Sequence, residues 1–470
     1  MSKRPGPVLH FAVDDGFRLP DVESLAGGPP ERTTVQVCDT YVDTADADLL
    51  SHNLQLRRRE GDGDTGWQLA IPGEEGPLDV RTDASEPPSE LADLLFGVTL
   101  GKPLTTVATM RTRHDRYRFA SSGRGRLRAL LLDERTHASI GDRMLAWRQI
   151  EIGCGPAARS LPDDLADRLS MAGAVPTPAQ SKVARVLRVD PPCTVERSDA
   201  EQALADYLSE QIDIVFAGDL GLRRGHDPIH DTRVAIRRLR STLRVFGKLL
   251  DGPSADHVET ELKWFAGLLG EVRDCQVQMR RFGSALAELP DDLVLGPVEG
   301  RINSELRSQQ HRSRAEVTDA MSGARYLDLL TTLQRWRTDP PLAGPPTAKA
   351  LTKRAGRAQR KADRRLAQAV RAGDDALLHR ARKAAKRARY AAELLTPLNK
   401  RTKATVKRYK RIQRVLGDHQ DGVVATGTLR RLALVAGTAP GENGFTFGLL
   451  YQREQENAAD AFRRARELLV

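Results

Sequence analysis

Apolar residues in the first 190 positions fall in short runs, many of them alternating with polar residues or rich in β-branched side chains. Val8–Val13, Thr33–Tyr41, Leu54–Arg59, Gly66–Ile71, Arg111–Ala120, Arg126–Asp133 and Leu145–Gly153 each read as a strand. Gly- and Asp-rich turns such as Gly61-Asp62-Gly63-Asp64 separate them. Strands in this number, with few helices among them, predict a sandwich or an antiparallel barrel, closed by a helix over Asp163–Ala172. From about Asp199 the apolar spacing changes to a period near 3.6, and long helices are predicted to the end of the chain.

Two Pro-rich stretches punctuate this pattern. One, Asp190-Pro191-Pro192-Cys193-Thr194, places a linker over 191–198, between a β domain at 1–190 and a helical domain at 199–470. The other, Asp339-Pro340-Pro341-Leu342-Ala343-Gly344-Pro345-Pro346, divides the helical domain into pieces of about 199–338 and 347–470. Each piece is long enough for a four-helix bundle. A further loop over Gly437–Gly444 precedes the last helix.

The two helical pieces repeat each other. His230, Arg233, Arg237, Arg238 and Arg240 align with His379, Arg382, Lys386, Arg387 and Arg389. Further on, Leu269-Gly270-Glu271 with Asp274 aligns with Leu416-Gly417-Asp418 with Asp421. Both motifs occur in the same order at nearly the same separation, which marks a duplicated helical unit.

At 100° per residue, Ile236, Leu239, Leu243, Phe246 and Leu250 form one stripe of the first motif helix, its core face. His230, Arg233, Arg237, Arg240 and Arg244 form a second stripe about 20 Å long. Arg238 lies off that line. The second copy repeats the line with His379, Arg382, Lys386 and Arg389, over a core stripe of Ala381, Ala385, Ala388 and Ala392. Like charges at such spacing repel and weaken a helix. A solvated basic face is one reading of the line; its occurrence at equivalent places in both copies favours a track for a linear polyanion. Arg offers planar forks to phosphate oxygens and Lys a point charge. A histidine heads each line and is a candidate phosphate ligand that gains a proton when the anion arrives. Further basic lines run through Lys353, Arg357, Arg360, Lys361 and Arg364, and through Lys400, Lys403, Lys407 and Arg411 with Arg414 beyond. Asp274 and Asp421 are expected to cap a helix or orient an Arg, and Gly270 and Gly417 to permit close approach.

Charge sharpens this picture. The chain of 470 residues carries a net +10. Residues 1–198 hold 25 basic and 29 acidic residues, a net of −4, so residues 199–470 carry +14. The excess belongs to the helical half, which points to an anionic partner for that half. The four cysteines, Cys38, Cys154, Cys193 and Cys275, have neither metal nor redox spacing and read as reduced thiols. No run approaches the ~18–20 apolar residues of a membrane helix, and no signal-peptide core follows Met1. A soluble cytoplasmic protein is expected, associated with polyphosphate granules if its partner is that polymer. Aromatics make up only 5% of the chain and do not interleave with the basic lines, so a nucleic-acid partner is disfavoured.

The doubled His-x-x-Arg-x-x-x-Arg/Lys-Arg-x-Arg and Leu-Gly-Asp/Glu-x-x-Asp motifs resemble those of the CHAD family over about residues 199–470. That resemblance implies an all-α domain of two pseudo-symmetric four-helix bundles around a basic channel that binds inorganic polyphosphate. The polyphosphate-binding set expected here is His230, Arg233, Arg237, Arg238, Arg240, Arg244, His379, Arg382, Lys386, Arg387 and Arg389, with Lys353, Arg357, Lys407, Arg411 and Arg414 from the flanking lines. Residues 1–190 resemble a CYTH domain, the triphosphate tunnel fold, through Tyr41-Val42-Asp43-Thr44, Leu54–Gly61, the Trp67 strand, Arg111-Thr112-Arg113 and Ile150-Glu151-Ile152. That family opens with a Glu-x-Glu-x-Lys strand that holds a divalent metal and meets triphosphate. Here the strand reads His10-Phe11-Ala12-Val13-Asp14, and the late strand keeps only Glu151. A mainly β, degenerate CYTH-like domain with no catalytic residues, metal or cofactor is therefore expected. Arg57, Arg59, Arg111 and Arg113 remain candidates for anion contact. A metal-dependent triphosphate hydrolase with atypical ligands is the alternative, and a nucleic-acid binder the third reading.

Overall fold

The computed structural model describes residues 8–22, 29–63, 65–120, 127–155, 161–178, 181–187 and 197–469. The expected linker residues 191–196 lie outside these, as do Asp64, Arg126, Asp190 and Cys193. The chain divides into two units, Met1–Cys193 and Thr194–Val470.

In the first unit the alternating segments pair into one antiparallel sheet. Its strands are β1 (Val8–Val13), β2 (Glu31–Asp43), β3 (Gln55–Glu60), β4 (Gly66–Ala70), β5 (Leu78–Val80), β6 (Thr105–Ala120), β7 (Leu127–Ile140), β8 (Arg143–Cys154) and β9 (Val175–Thr177). Their order across the sheet is β5-β4-β3-β2-β6-β7-β8-β1-β9. The short helices are α1 (Asp48–Ser51), α2 (Ser89–Thr99), α3 (Leu161–Met171) and α4 (Lys182–Leu187). Successive side chains of a strand point to opposite faces. One face buries Phe11, Phe119, Leu131, Ile150 and Ile152 against Leu161, Leu165 and Leu169 of α3. The other gathers Tyr41, Met110 and Trp147 around Val183 and Val186 of α4. The outermost strands, β5 and β9, were not expected; at three residues each they are too short to show a period.

The second unit is all helical. In chain order the helices are α5 (Asp199–Arg223), α6 (Ile229–Phe246), α7 (Gly252–Ala287), α8 (Val298–Ser322), α9 (Ala324–Thr338), α10 (Ala348–Ala372), α11 (Asp375–Leu394), α12 (Thr402–Ala436) and α13 (Phe445–Arg466). Local chemistry fixes several starts. The Asp251 carboxylate accepts from Ser254 N–H at the head of α7, and Asp374 accepts from Leu377 N–H at the head of α11. Each such cap contributes about 1 kcal/mol. The predicted core stripe of α6 (Ile236, Leu239, Leu243 and Phe246, with Leu250 beyond) is buried throughout. So is the small stripe Ala381, Ala385, Ala388 and Ala392 of α11.

The arrangement of cores differs from one bundle per repeat. The first piece has five helices rather than four, because extended backbone at Gly323 (φ −87°, ψ 153°) separates α8 from α9. The helices α7 and α12 are 36 and 35 residues long, about 54 Å each at 1.5 Å per residue. Each therefore reaches beyond its own repeat. Phe282 and Leu286 of α7, Ile302 and Leu306 of α8, Leu429 and Leu432 of α12, and Phe447 and Leu450 of α13 form one core that draws equally on both repeats. A separate core joins α10, α11, the first half of α12 and the end of α13, around Leu366, Ala381, Ala388, Tyr409, Leu416 and Ala465.

Candidate functional site

Helices α6 and α11 pack against each other, so the two basic lines meet on one side of the helical unit. A cleft of about 480 Å³ opens there. Arg237, Arg240 and Arg244 of α6 line it, with Lys263 of α7 and Lys383, Lys386 and Arg387 of α11.

The Leu-Gly motifs explain how the arginines are seated. A Cβ on Gly270 would stand 2.6 Å from Nη1 of Arg233, and one on Gly417 would stand 3.1 Å from Nη2 of Arg382. Each glycine thus leaves room for a guanidinium to lie across the facing helix. Four residues on, Asp274 stands 3.9 Å from Arg233 and Asp421 stands 3.6 Å from Arg382. Glycine and aspartate together form one seat for one arginine, and the seat occurs once per repeat. The caps expected of these aspartates do not form, since both lie in mid-helix; their orienting role does.

Seating leaves donors unsatisfied. Arg233 Nη1, Arg237 Nε, Arg382 Nε and His379 Nδ1 are buried without a hydrogen-bond partner. A buried unmet donor costs about 1–3 kcal/mol, and more when charged. Both repeats contribute to this deficit. Lys386 shows the same strain electrically. Its burial, then Arg382, Arg237 and Arg233, push its ammonium down to about 7, with Asp421 only partly opposing them. Burial also lowers His230, helped by Arg273 and Arg237, and lowers His379, helped by Lys383. An anion in the cleft would reverse each of these effects.

A family description, the CHAD domain, matches residues 206–430. The chain belongs to the CHAD-domain family. It is 32% identical to a Mycobacterium tuberculosis protein described as uncharacterized, over 99% of this chain and 96% of that one. The CHAD domain solved from the plant Ricinus communis is 25% identical, covers 58% of this chain and 92% of its own, and superposes with a TM-score of 0.45. A protein of Pyrococcus horikoshii is 15% identical over 39% of this chain and 96% of that one, with a TM-score of 0.25.

Within the CHAD domain the expected residues separate into groups. Arg237, Lys386 and Arg387 line the cleft, the charges of Arg233 and Arg382 act on Lys386 from beside it, and no acidic partner lies within 3.5 Å of these five among the described residues. Arg240 and Arg244 also face the cleft but share Glu259, at 2.8 and 2.9 Å. Arg389 pairs with Glu393 at 2.7 Å. Arg238, off the line as its helical position requires, bonds Glu393 at 3.2 Å and lies over the Tyr390 ring. The histidines are less equivalent than their alignment implies. His230 is the second residue of α6 and exposed, whereas His379 is the fifth of α11 and half-buried.

Two further cavities adjoin these helices. One of about 200 Å³ lies between Arg244, Arg354, Arg357, Lys361 and Arg387. Arg357 is where the sequence put it. Lys353 is exposed and absent from this wall, and its neighbour Arg354 takes the place, one residue round the helix. The other cavity, about 1010 Å³, has Lys407, Lys410, Arg411 and Arg414 along one side and Arg382 and Arg389 along the other. Sequence reasoning also missed Lys263, Lys383 and Arg273. Lys383 was within reach, since it stands four residues after His379 and three before Lys386. Lys263 and Arg273 enter only through interhelical packing.

In the first unit the register sets His10 opposite Glu151 and Ala12 opposite Gln149. Glu151 is held by His10 at 3.3 Å and Gln149 at 3.0 Å. Burial alone would raise Glu134, but His114 at 3.0 Å and Lys182 at 2.7 Å outweigh it and hold the carboxyl at about 2. These carboxylates are consumed by protein cations and amides, which does not fit a divalent-metal site. Arg57 and Arg59 share Asp39, at 3.6 and 2.8 Å. Arg111 and Arg113 are exposed and alternate with buried Thr112 and His114, so they lie on the opposite face of β6.

Proposed function

We propose that the CHAD domain of this protein binds inorganic polyphosphate, without turning it over, in the cleft between α6 and α11. The observation that carries this reading is the set of buried, unpartnered donors from both repeats: Arg233 Nη1, Arg237 Nε, Arg382 Nε and His379 Nδ1. A cluster of cations at such cost is stabilised by a compensating anion. The elongated, sequentially basic lining favours a linear polymer over a compact phosphate, because successive groups act on one chain at high effective concentration. Phosphate groups suit the lining because four cations of one repeat, Arg237, Arg240, Arg244 and Lys263, face three of the other, Lys383, Lys386 and Arg387. The ring in the cleft wall, Tyr390, is buried and covered by Arg238 and Arg389, which leaves no face for a base to stack on and disfavours single-stranded nucleic acid.

The CYTH-like unit is proposed to be non-catalytic. Phosphate hydrolysis by this fold would need carboxylates free to hold a divalent cation, and Glu134 and Glu151 are already engaged. The test is a titration of the full-length protein with polyphosphate of defined lengths, with RNA as competitor and released orthophosphate monitored in Mg²⁺. Retention of long chains without release supports the proposal. Mg²⁺-dependent release would favour a hydrolase, and displacement by RNA a nucleic-acid binder.

A further inference from the structure

The two repeats share their seats for arginine but not what lies beside them. In the second repeat, Lys407, Lys410, Arg411 and Arg414 follow one another at i, i+3, i+4 and i+7, so they form a stripe on one face of α12. The stripe borders the cavity of about 1010 Å³, which Arg382 and Arg389 of α11 face from the other side. None of the four stripe cations has an acidic partner within 4 Å among the described residues. Asp418, which also borders the cavity, is bonded to Arg464 at 3.1 Å. Arg382 links this cavity to the cleft, because it borders the cavity and its charge acts on Lys386, which lines the cleft.

The corresponding positions of the first repeat, 147 residues earlier by the Gly270–Gly417 alignment, are Thr260, Lys263, Trp264 and Gly267. Only one cation survives there. Trp264 is instead stacked by Arg325, 4.1 Å from its ring centroid, and that arginine is held by Glu261 at 2.5 Å. The first repeat has replaced the basic stripe by an internal ion pair and an aromatic contact.

We propose that the α12 stripe is a second phosphate subsite outside the cleft, present in the second repeat alone. This rests on the reading of the cleft as a polyphosphate site. A chain too long for the cleft leaves it past Arg382 and runs along α12 toward Lys407, about 20 Å from Asp421 along the helix. The site is thus one-sided although the fold is duplicated. A short chain is held by the cleft and a long one by both.

The test uses the full-length protein, Lys407→Glu with Arg411→Glu, and a control of equal charge change, Arg307→Glu with Arg312→Glu on the exposed face of α8. Binding of tripolyphosphate and of polyphosphate some hundreds of units long is measured by calorimetry. Circular dichroism checks that each variant is folded. The stripe variant should lose roughly tenfold or more in affinity for the long chain and stay within about twofold of wild type for the short one. The control should stay within about twofold for both. Equal losses in stripe and control variants would overturn the subsite in favour of bulk charge. An equal loss on short and long chains in the stripe variant would also overturn it, since the stripe would then belong to the cleft. A wild-type protein that retains neither chain would instead overturn the polyphosphate reading beneath it.

Discussion

Lys386 makes the cleft a proton-linked site, and the linkage has a sign and a size. Its ammonium is held at about 7 rather than 10.5, chiefly by burial and by Arg382, Arg237 and Arg233. At pH 8 roughly one Lys386 in ten is therefore protonated in the free protein. Phosphates in the cleft would offset both causes, and a return to the ordinary value would leave it almost fully protonated. Binding at pH 8 should then take up about 0.9 proton through this residue, and at pH 6 almost none. Affinity should fall as pH rises, approaching tenfold per unit above pH 7 and below the value in the complex, so roughly fiftyfold from pH 7 to pH 9. Stability of the free protein runs the other way. The unfolded chain binds the extra proton between pH 7 and 10.5, so stability rises with pH across that window and its loss is complete below it. The upper bound of that contribution is about 5 kcal/mol, and water reaching the half-buried amine reduces it. Calorimetry at pH 8 in buffers of different ionisation enthalpy measures the uptake directly. His230 and His379, both lowered, add a background, which Lys386→Arg isolates because a guanidinium stays charged throughout. A variant Lys386→Arg with the same uptake and the same pH slope as wild type would refute the argument.

Other consequences are open to direct measurement. Gly270→Ala and Gly417→Ala should weaken polyphosphate binding by about tenfold by displacing Arg233 and Arg382, yet melt no lower than wild type, because only flexible side-chain ends must move and Ala favours a helix by up to about 1 kcal/mol. Arg237→Glu with Lys386→Glu, one residue from each repeat, should reduce affinity by about a hundredfold or more while relieving repulsion, so its unliganded melting temperature should not fall; a pair with unchanged affinity contradicts a shared cleft. Long chains should bind far more tightly than orthophosphate, lose affinity steeply with salt, and raise the melting temperature by mass action; thermal shift assays over chain length and salt check all three. The full-length protein should release no orthophosphate from triphosphate with Mg²⁺ or Mn²⁺, and turnover abolished by Glu151→Ala would contradict the reading of the first unit.

What the sequence made legible was whatever depends on spacing within one element. The core stripe of α6 and the line Arg233, Arg237, Arg240 and Arg244 follow from helical period alone, and the duplication was visible because it doubled rare motifs. The strands β1 to β4 and β6 to β8 were legible from alternation and turns. What depends on a neighbour was not. Glu259 neutralises Arg240 and Arg244 from α7, and Glu393 neutralises Arg238, though neither carboxylate has a motif of its own. The preference for Arg354 over Lys353 is a matter of one residue, about 100° of rotation, which a charge pattern with lysine and arginine side by side cannot resolve. The engagement of Glu134 by Lys182 brings together residues 48 positions apart and is a property of the folded sheet with its helix.

The core shared by α7, α8, α12 and α13 bears on how such a duplication can arise and be cut. Half of its buried residues come from each repeat, and Arg281 with Glu454 and Arg301 with Glu442 stitch the same seam. A single repeat on its own would leave Phe282, Ile302 and Leu306, or Leu429, Phe447 and Leu450, facing water. It could bury them only against a second copy of itself. The present chain therefore has the architecture of a two-fold dimer whose subunits have been joined by the loop at 339–347. Tethering frees the two halves from identity, and that freedom is what lets one half keep a basic stripe that the other has exchanged for Glu261, Trp264 and Arg325. Severing the loop should yield fragments that are each insoluble or self-paired but that recombine one to one, restoring the seam between unlike partners.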